Sequence, residues 1–351
     1  MKLKTILTLL AALGILTACN DDFFDQVPDD RITIEQVFQR TSYSEKYLAT
    51  VYSYIRDESH RTNGVPWDPC SDDLDVTYDR EDYNSFKMNL GNWSASSNYY
   101  EYWSHYYRGI RSATYFIQHI GSNQEMLDDP TRGPIVVEQY KNEARFLRAF
   151  YYFNLVECWG DVPFKTVSTQ SVTNLNIPRT DKQEIYDFII SEMADAADTG
   201  LKSASDLAYK PGRISQSTAW GILARVYLFR AGEHYREGRN ATQAEKKDYF
   251  ERASFYAQKV MTAGHKLAAN YWDPFIDMCS DKYNTTANES IWEAEFAGNN
   301  TSDTQAEGRI GNIIGLAGPD LSSKSDVTGA KDPGYGYAFI YSTPKLYNLY
   351  V

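Results

Sequence analysis

The sequence predicts a helical fold in which paired helices form a repeat scaffold that carries long irregular loops. Three observations support this prediction. Long segments from the middle of the chain onward place apolar residues at helical spacing, and no strand pattern of comparable length competes with them. Two neighbouring helices also carry apolar and small residues spaced as in the two helices of a tetratricopeptide repeat.

The clearest predicted helix runs from Asp181 to Gly200. Thr180 followed by Gln183 predicts a capping box at its start, and Gly200 is a typical helix end. Its apolar residues share one helical face, namely Ile185, Phe188, Ile189, Met193, Ala196 and Ala197.

A second predicted helix, from Glu138 to Glu157, has apolar residues on almost every side. A helix of this kind must be buried between neighbours. It ends at Gly160, and Pro163 then favours an extended conformation at Val162, because proline disfavours the helical region for the residue before it.

Two further helices, Ser217 to Ala231 and Lys246 to Ala263, are each predicted to stop at a glycine, Gly232 and Gly264. The first places Leu223, Ala224 and Tyr227, and the second places Ala253, Ala257 and Val260, at tetratricopeptide-like positions. A charge-rich insertion, 233–247, is expected to bulge from the turn between them. The four helices together predict a solenoid-like scaffold.

Two regions, Asn63 to Tyr99 and Asn270 to Gly336, are rich in Asp, Asn, Ser, Gly and aromatic residues and show no sustained helical period. We expect them to be loops carried on the scaffold. The aromatic residues just after the first region lie at helical spacing, and we expect them to pack in the core: Tyr102, Trp103, Tyr106 and Tyr107.

The N-terminus predicts export. Lys2 and Lys4 precede a mostly apolar stretch from Ile6 to Leu16, which is too short to span a bilayer. The stretch ends at Leu16-Thr17-Ala18-Cys19, which looks like the lipobox of bacterial lipoproteins, with a plain cleaved signal as the alternative. We therefore expect a signal peptide at 1–18, a lipidated tether at 19–30 that begins with Cys19, and a helical-repeat domain at 31–351.

The composition excludes several classes of function. The 351 residues carry a formal net charge of −12, which has the wrong sign for binding nucleic acid and favours neutral or cationic ligands. Besides Cys19, the cysteines Cys70, Cys158 and Cys279 are an odd number without CxxC spacing, so neither a disulfide framework nor a zinc site follows. The sequence contains no HExxH, GxSxG or phosphate-binding glycine loop, and we expect no catalytic residues, metal or cofactor. The acidic run Asp72 to Asp79 lacks the EF-hand glycine and terminal glutamate, which favours a solvated loop and leaves calcium binding as the alternative.

One segment carries a family resemblance. Residues Asn142 to Phe164 read NEARFLRAFYYFNLVECWGDVPF, which is similar to the signature of the SusD/RagB family of starch-utilisation-type lipoproteins. The resemblance continues in order through Pro178 to Thr180, Gly212 to Ser215, Ala224 to Leu228 and Asn288 to Glu293.

The resemblance implies an all-α fold of tetratricopeptide-like helix pairs forming an α/α superhelical scaffold. It implies a lipid-anchored protein on the outer face of the outer membrane that captures oligosaccharides or polysaccharides and delivers them to a TonB-dependent transporter of the SusC type. Relatives also take peptide ligands. The chain stops at Val351 in mid-pattern, whereas the family continues, so we expect the helical-repeat domain to be incomplete at its C-terminus.

A glycan site needs flat aromatic side chains for the sugar faces and polar neighbours for the hydroxyls. From the loops and the order of the family motifs we predict the ligand-binding residues Trp67, Asp73, Trp93, Asn98, Tyr99, Trp272 and Tyr283. Loop aromatics can instead pin a loop to its scaffold.

Two other functions stay open from the sequence. A surface glycoside hydrolase would need two carboxylates across the scissile bond. The acidic pairs Asp73 with Asp75 and Glu293 with Glu295 are too closely spaced to flank it and would need partners from elsewhere. A structural transporter lid without ligand contact is the second alternative.

Overall fold

A computed structural model describes residues 32–55, 71–76, 84–94, 96–97, 102–131, 133–169, 176–236, 242–280, 282–295 and 340–350. The signal peptide predicted at 1–18 and the tether predicted at 19–30, with Cys19, lie outside these residues. None of the helices in the described ranges is long and apolar enough to cross a membrane.

The described part of the chain is mainly helical. The helices are α1 (Ile34–Val37), α2 (Thr41–Tyr52), α3 (Asn84–Asn89), α4 (Trp103–His119), α5 (Gln124–Leu127), α6 (Gly133–Trp159), α7 (Lys182–Thr199), α8 (Gln216–Arg236), α9 (Gln243–Met261), α10 (Asp273–Cys279) and α11 (Pro344–Tyr347). Long helices that follow each other in sequence pack against each other, α4 on α6, α6 on α7, α7 on α8 and α8 on α9. The all-α prediction is confirmed.

Within the described ranges, four short strands form two antiparallel pairs. Strand β1 (Leu74–Val76) pairs with β4 (Ile340–Ser342), and β2 (Val162–Pro163) pairs with β3 (Arg179–Thr180). The first pair joins distant parts of the chain, since Val76 lies opposite Ile340. Helices α3 and α10 and strand β1 all lie in regions that the sequence predicts to be irregular, because elements this short leave no sustained periodic pattern.

The core is centred on α6, which is buried on almost every side, as its sequence predicts. Six of its large apolar side chains are fully buried, whereas Phe150 and Trp159 are partly buried. The six are Phe146, Leu147, Tyr151, Tyr152, Phe153 and Leu155. Of the four aromatic residues predicted to pack in the core before it, Tyr102 and Tyr106 are buried and Tyr107 is half-buried against the core. Trp103 is exposed, so the prediction of core packing is wrong for this residue. The Trp103 ring meets Trp159 edge-on, with centroids 5.3 Å apart.

Ion pairs join α6 to α7. Glu192 of α7 accepts from Nη2 of Arg148 at 2.6 Å and from Nη2 of Arg145 at 2.9 Å. Burial alone would raise the pKa of the Glu192 carboxyl, but the hydrogen bonds and positive charges of the two arginines outweigh it and lower that pKa. Both arginines belong to the NEARFLRAF segment, so its polar residues serve the packing of the scaffold.

Several predicted helix ends are wrong. Helix α6 begins at Gly133, before the predicted start at Glu138. The N-cap of α7 is Asp181, whose carboxylate accepts from Gln183 N at 2.7 Å; Thr180 lies in β3 instead, opposite Val162. Helix α8 continues through Gly232 to Arg236, because an exposed glycine costs a helix only about 1 kcal/mol. Helix α9 starts earlier than predicted, where Thr242 and Glu245 form a capping box.

Candidate functional site

A buried carboxylate holds the family-like segments together. Glu143 of α6 is fully buried, and its carboxylate accepts from Arg213 Nη2 at 2.6 Å and Arg213 Nε at 3.0 Å. The Tyr52 hydroxyl of α2 donates to it at 2.7 Å and Gln139 Nε2 at 2.8 Å. These hydrogen bonds, here called the clamp, join the turn before α8 to α2 and α6.

The charges of this clamp shift the pKa values of its members. Burial alone would lower the pKa of Arg213, but the attraction of the Glu143 carboxylate outweighs burial and raises it. Burial, with the negative charge of Glu143, holds the pKa of the Tyr52 hydroxyl well above its usual range. The clamp therefore keeps the Arg213 guanidinium charged and the Tyr52 phenol neutral at any ordinary pH.

The segment 264–295, here called the loop platform, is attached to this clamped turn. Glu293 N donates to the carbonyl oxygen of Pro211 at 3.1 Å. The Trp292 ring packs edge-on against α6, with its centroid 5.1 Å from that of Phe150 and 5.7 Å from that of Phe146. The loop platform is thus tied to the most buried helix of the scaffold.

Hydrogen bonds across the loop platform close it on itself. Lys266 N donates to the carbonyl oxygen of Ala287 at 2.7 Å, and Ala268 N donates to Glu289 Oε2 at 2.7 Å. His265 Nδ1 lies 2.6 Å from the carbonyl oxygen of Asn288, so this nitrogen carries the proton and donates. These bonds bring the two ends of the segment together and leave α10 projecting between them.

Aromatic side chains project from the start of α10. Tyr271 is 75% exposed and Trp272 68% exposed, and Phe275 is also exposed. The rings of Tyr271 and Trp272 meet at 77° with centroids 5.4 Å apart. The centroid of the Phe275 ring is also 5.4 Å from that of Tyr271, with the two rings tilted by 52°. The three rings form an exposed cluster with faces in different directions, which suits the apolar faces of sugar rings.

A polar pair lies beyond the other end of α10. The Tyr283 hydroxyl donates to Glu295 Oε1, and both side chains reach solvent. Glu295 projects over Gly212 of the clamped turn. Tyr283 was a predicted ligand residue, whereas Glu295 was considered only as half of a hydrolase pair with Glu293.

The other predicted ligand residues are only partly described. Trp93 follows α3 and is 62% exposed. Asp73 precedes β1 with an exposed side chain, and its carbonyl oxygen accepts from Thr343 N at 2.9 Å. Trp67, Asn98 and Tyr99 lie outside the described residues. Among the described contacts, none joins Trp93 or Asp73 to Trp272, so these predictions stay untested.

Two contacts were not predicted from the sequence, the ion pair of Glu143 with Arg213 and the packing of Glu295 over Gly212. Each contact joins residues that are far apart in sequence. The signal was present in the resemblance, since Glu143 and Arg213 lie in separate family-like segments. Nothing in either segment alone indicates that they meet.

Comparison with known proteins places this architecture in a family. Residues 22–228 match the SusD-like family model described as "Starch-binding associating with outer membrane". A SusD-like protein of Bacteroides ovatus is 25% identical over 278 residues, 78% of this chain and 47% of that protein. The starch-binding protein SusD of Bacteroides thetaiotaomicron is 28% identical over 156 residues, 42% of this chain and 24% of that protein.

Solved structures share the fold. A SusD homologue from Bacteroides thetaiotaomicron matches with a TM-score of 0.67 at 21% identity, over 88% of this chain and 56% of that one. A laminarin-binding SusD-like protein matches with a TM-score of 0.65 at 20% identity, over 89% of this chain and 64% of that one. The chain spans about half or less of the length of the curated relatives that it matches. With a family model that matches 22–228 and this shared helical fold, the chain belongs to the SusD-like family.

Proposed function

We propose that this protein binds neutral glycans on the cell surface without cleaving them and delivers them to a TonB-dependent outer-membrane transporter of the SusC type. The observation that carries the proposal is the exposed ring cluster of Tyr271, Trp272 and Phe275, held on a loop that is bonded to the scaffold. Relatives described as starch-binding and laminarin-binding support a carbohydrate ligand.

The ring cluster favours modest affinity. A stacked ring that removes about 60 Å² of apolar surface from water contributes about 1.5 kcal/mol at about 25 cal/mol per Å². Two or three rings then contribute about 3 to 5 kcal/mol before hydrogen bonds, and the entropy lost on binding offsets much of it. We expect dissociation constants in roughly the micromolar to millimolar range for oligosaccharides, and weaker binding of monosaccharides.

In this proposal the protein is anchored in the outer membrane by acyl chains on Cys19. This location is supported by the lipobox-like residues before Cys19 and by the family model's description. Several acyl chains on one residue would anchor firmly, since each buried CH₂ contributes about 0.8 kcal/mol. Delivery to a transporter is proposed from the family resemblance.

The test is glycan binding by the full chain and by Trp272→Ala, measured by affinity electrophoresis on a panel of neutral polysaccharides and by calorimetry on oligosaccharides of the best one. We expect the variant to bind about tenfold more weakly, because it loses one stacking ring. The matched control is Phe250→Ala, which removes an exposed ring of α9 outside the loop platform and should bind like the parent.

Each alternative has its own signature in the same preparations. New reducing ends would indicate a hydrolase, and binding of peptides but no glycan would indicate a peptide receptor. Binding of neither would leave the structural lid. Equal affinity of Trp272→Ala and the parent would refute the ring cluster as the site.

Mass spectrometry of the membrane-extracted protein should show acylated Cys19, and an unmodified Cys19 would contradict the anchor.

A further inference from the structure

Gly212 occupies a position where backbone conformation does not require glycine. Among the described glycines, only Gly91, Gly160 and Gly264 have a left-handed backbone. A Cβ built on Gly212 would, however, overlap Cδ, Oε1 and Oε2 of Glu295. The missing side chain therefore makes room for a carboxylate.

The overlapping atoms are the far end of a flexible side chain. A methyl group at position 212 could be accommodated by moving the Glu295 carboxylate, at little cost to folding. The backbone on either side of Gly212 is held independently. The Arg213 side chain donates to the Glu143 carboxylate, and the Pro211 carbonyl oxygen accepts from Glu293 N. A substitution at Gly212 should thus move the carboxylate and leave the turn in place.

The seated carboxylate has a chemical preference. A carboxylate offers about four acceptor positions, and the Tyr283 hydroxyl occupies one of them. The exposed remainder can accept hydrogen bonds from sugar hydroxyls. A carboxylate or sulfate on the sugar would meet a like charge, which costs binding energy when both are desolvated.

We propose that the glycan site extends from the ring cluster to Glu295 at the other end of α10, that Glu295 there selects neutral glycans over acidic ones, and that Gly212 positions it against Tyr283. Helix α10 has 7 residues, about 10 Å of helix, which an oligosaccharide can span. This inference rests on the proposed function. It adds Glu295, which takes no part in stacking on the ring cluster, and Gly212, which positions Glu295 without touching the ligand.

The test compares two probes, the best-bound neutral oligosaccharide of the panel and the same oligosaccharide with C6 carboxylates introduced by nitroxyl-mediated oxidation. Glu295→Gln keeps the size of the side chain and removes its charge. We expect it to shift the neutral-to-acidic affinity ratio by about tenfold towards the acidic probe, equivalent to about 1.4 kcal/mol. An unchanged ratio would overturn the specificity role.

The positioning role has a separate readout. Gly212→Ala should weaken binding of the neutral probe several-fold, whereas the matched control Gly232→Ala should not, because a Cβ on Gly232 meets no atom within 4 Å. In a Glu295→Ala background, Gly212→Ala should have no further effect on affinity. A loss that persists in that background would show that Gly212 acts on the turn itself, and would overturn the role.

The outcomes separate this inference from the proposed function. If the parent binds no neutral oligosaccharide, both fail. If Trp272→Ala weakens binding but Glu295→Gln leaves the affinity ratio unchanged, only the inference fails. Thermal unfolding of each variant confirms that it is folded, and Glu295→Gln tests the specificity role even if Gly212→Ala does not fold.

Discussion

Helix α6 and the loop platform are both rich in aromatic residues, but they use them in opposite ways. In α6, Phe146, Tyr151 and Tyr152 are completely buried, whereas Tyr271 and Trp272 of the loop platform are mostly exposed. The NEARFLRAF segment that carries the family resemblance is therefore a packing element. The exposed aromatic residues of the proposed site lie in a segment that the family pattern marks less clearly. Helix α6 and the loop platform meet where Trp292 contacts Phe146 and Phe150.

The largest expected effect is the loss of stability when a buried aromatic residue of α6 is removed, compared with an exposed one of the loop platform. Phe146→Ala removes a fully buried ring and should lower the free energy of unfolding by about 4 kcal/mol, through lost burial and a residual cavity. Trp272→Ala should change it by less than about 0.5 kcal/mol, since its ring is mainly in solvent. Urea unfolding followed by circular dichroism measures both, and similar losses for the two variants would contradict the division of roles.

A somewhat smaller effect concerns the clamp between the two regions. Arg213→Ala leaves the buried Glu143 carboxylate without its cation, and should lower the free energy of unfolding by about 3 kcal/mol. It should also weaken glycan binding, because the turn that holds Glu293 and Glu295 loses its tie to α6.

The matched control for this variant is Arg252→Ala. It breaks an exposed pair with Asp248 on α9 and should cost less than about 1 kcal/mol. Urea unfolding and calorimetry on both variants measure the difference. An Arg213→Ala protein as stable as the control would mean that the clamp does not hold the turn.

The smallest effect is acid sensitivity of the scaffold. Because the pKa of Glu192 is lowered in the folded protein, its ion pairs stabilise the fold fully above the ordinary value of 4.5, and this contribution is lost as pH falls through the folded pKa. Glu192→Gln should therefore cost about 1.5 kcal/mol at neutral pH and progressively less in acid.

Urea unfolding of parent and variant across this pH range measures the effect. Glu251→Gln, which removes an exposed partner of Lys247, is the control and should show almost no difference at any pH. A constant gap between Glu192→Gln and the parent would contradict the assigned role of the charge.

Local pattern predicted the scaffold better than the site. The buried face of α7 and the burial of α6 on almost every side both follow from the spacing of apolar residues in the sequence. The N-cap at Asp181 was missed because Thr180 is drawn into a strand pair with Val162, a contact between residues far apart in sequence. Among the aromatic residues, periodicity distinguished Tyr106 from Trp272, but it did not reveal that Trp292 turns inward.

Residue patterns are enough to predict the helical class, the main helices and the family, because amphipathic periodicity and long motifs are local properties of the chain. The folded molecule is needed to see that Arg213 reaches Glu143, that Glu295 projects over Gly212, and that Tyr271 and Trp272 are exposed. The physical reason is that burial and ion pairing depend on which distant segments come together, and a residue's own neighbours in sequence do not encode that.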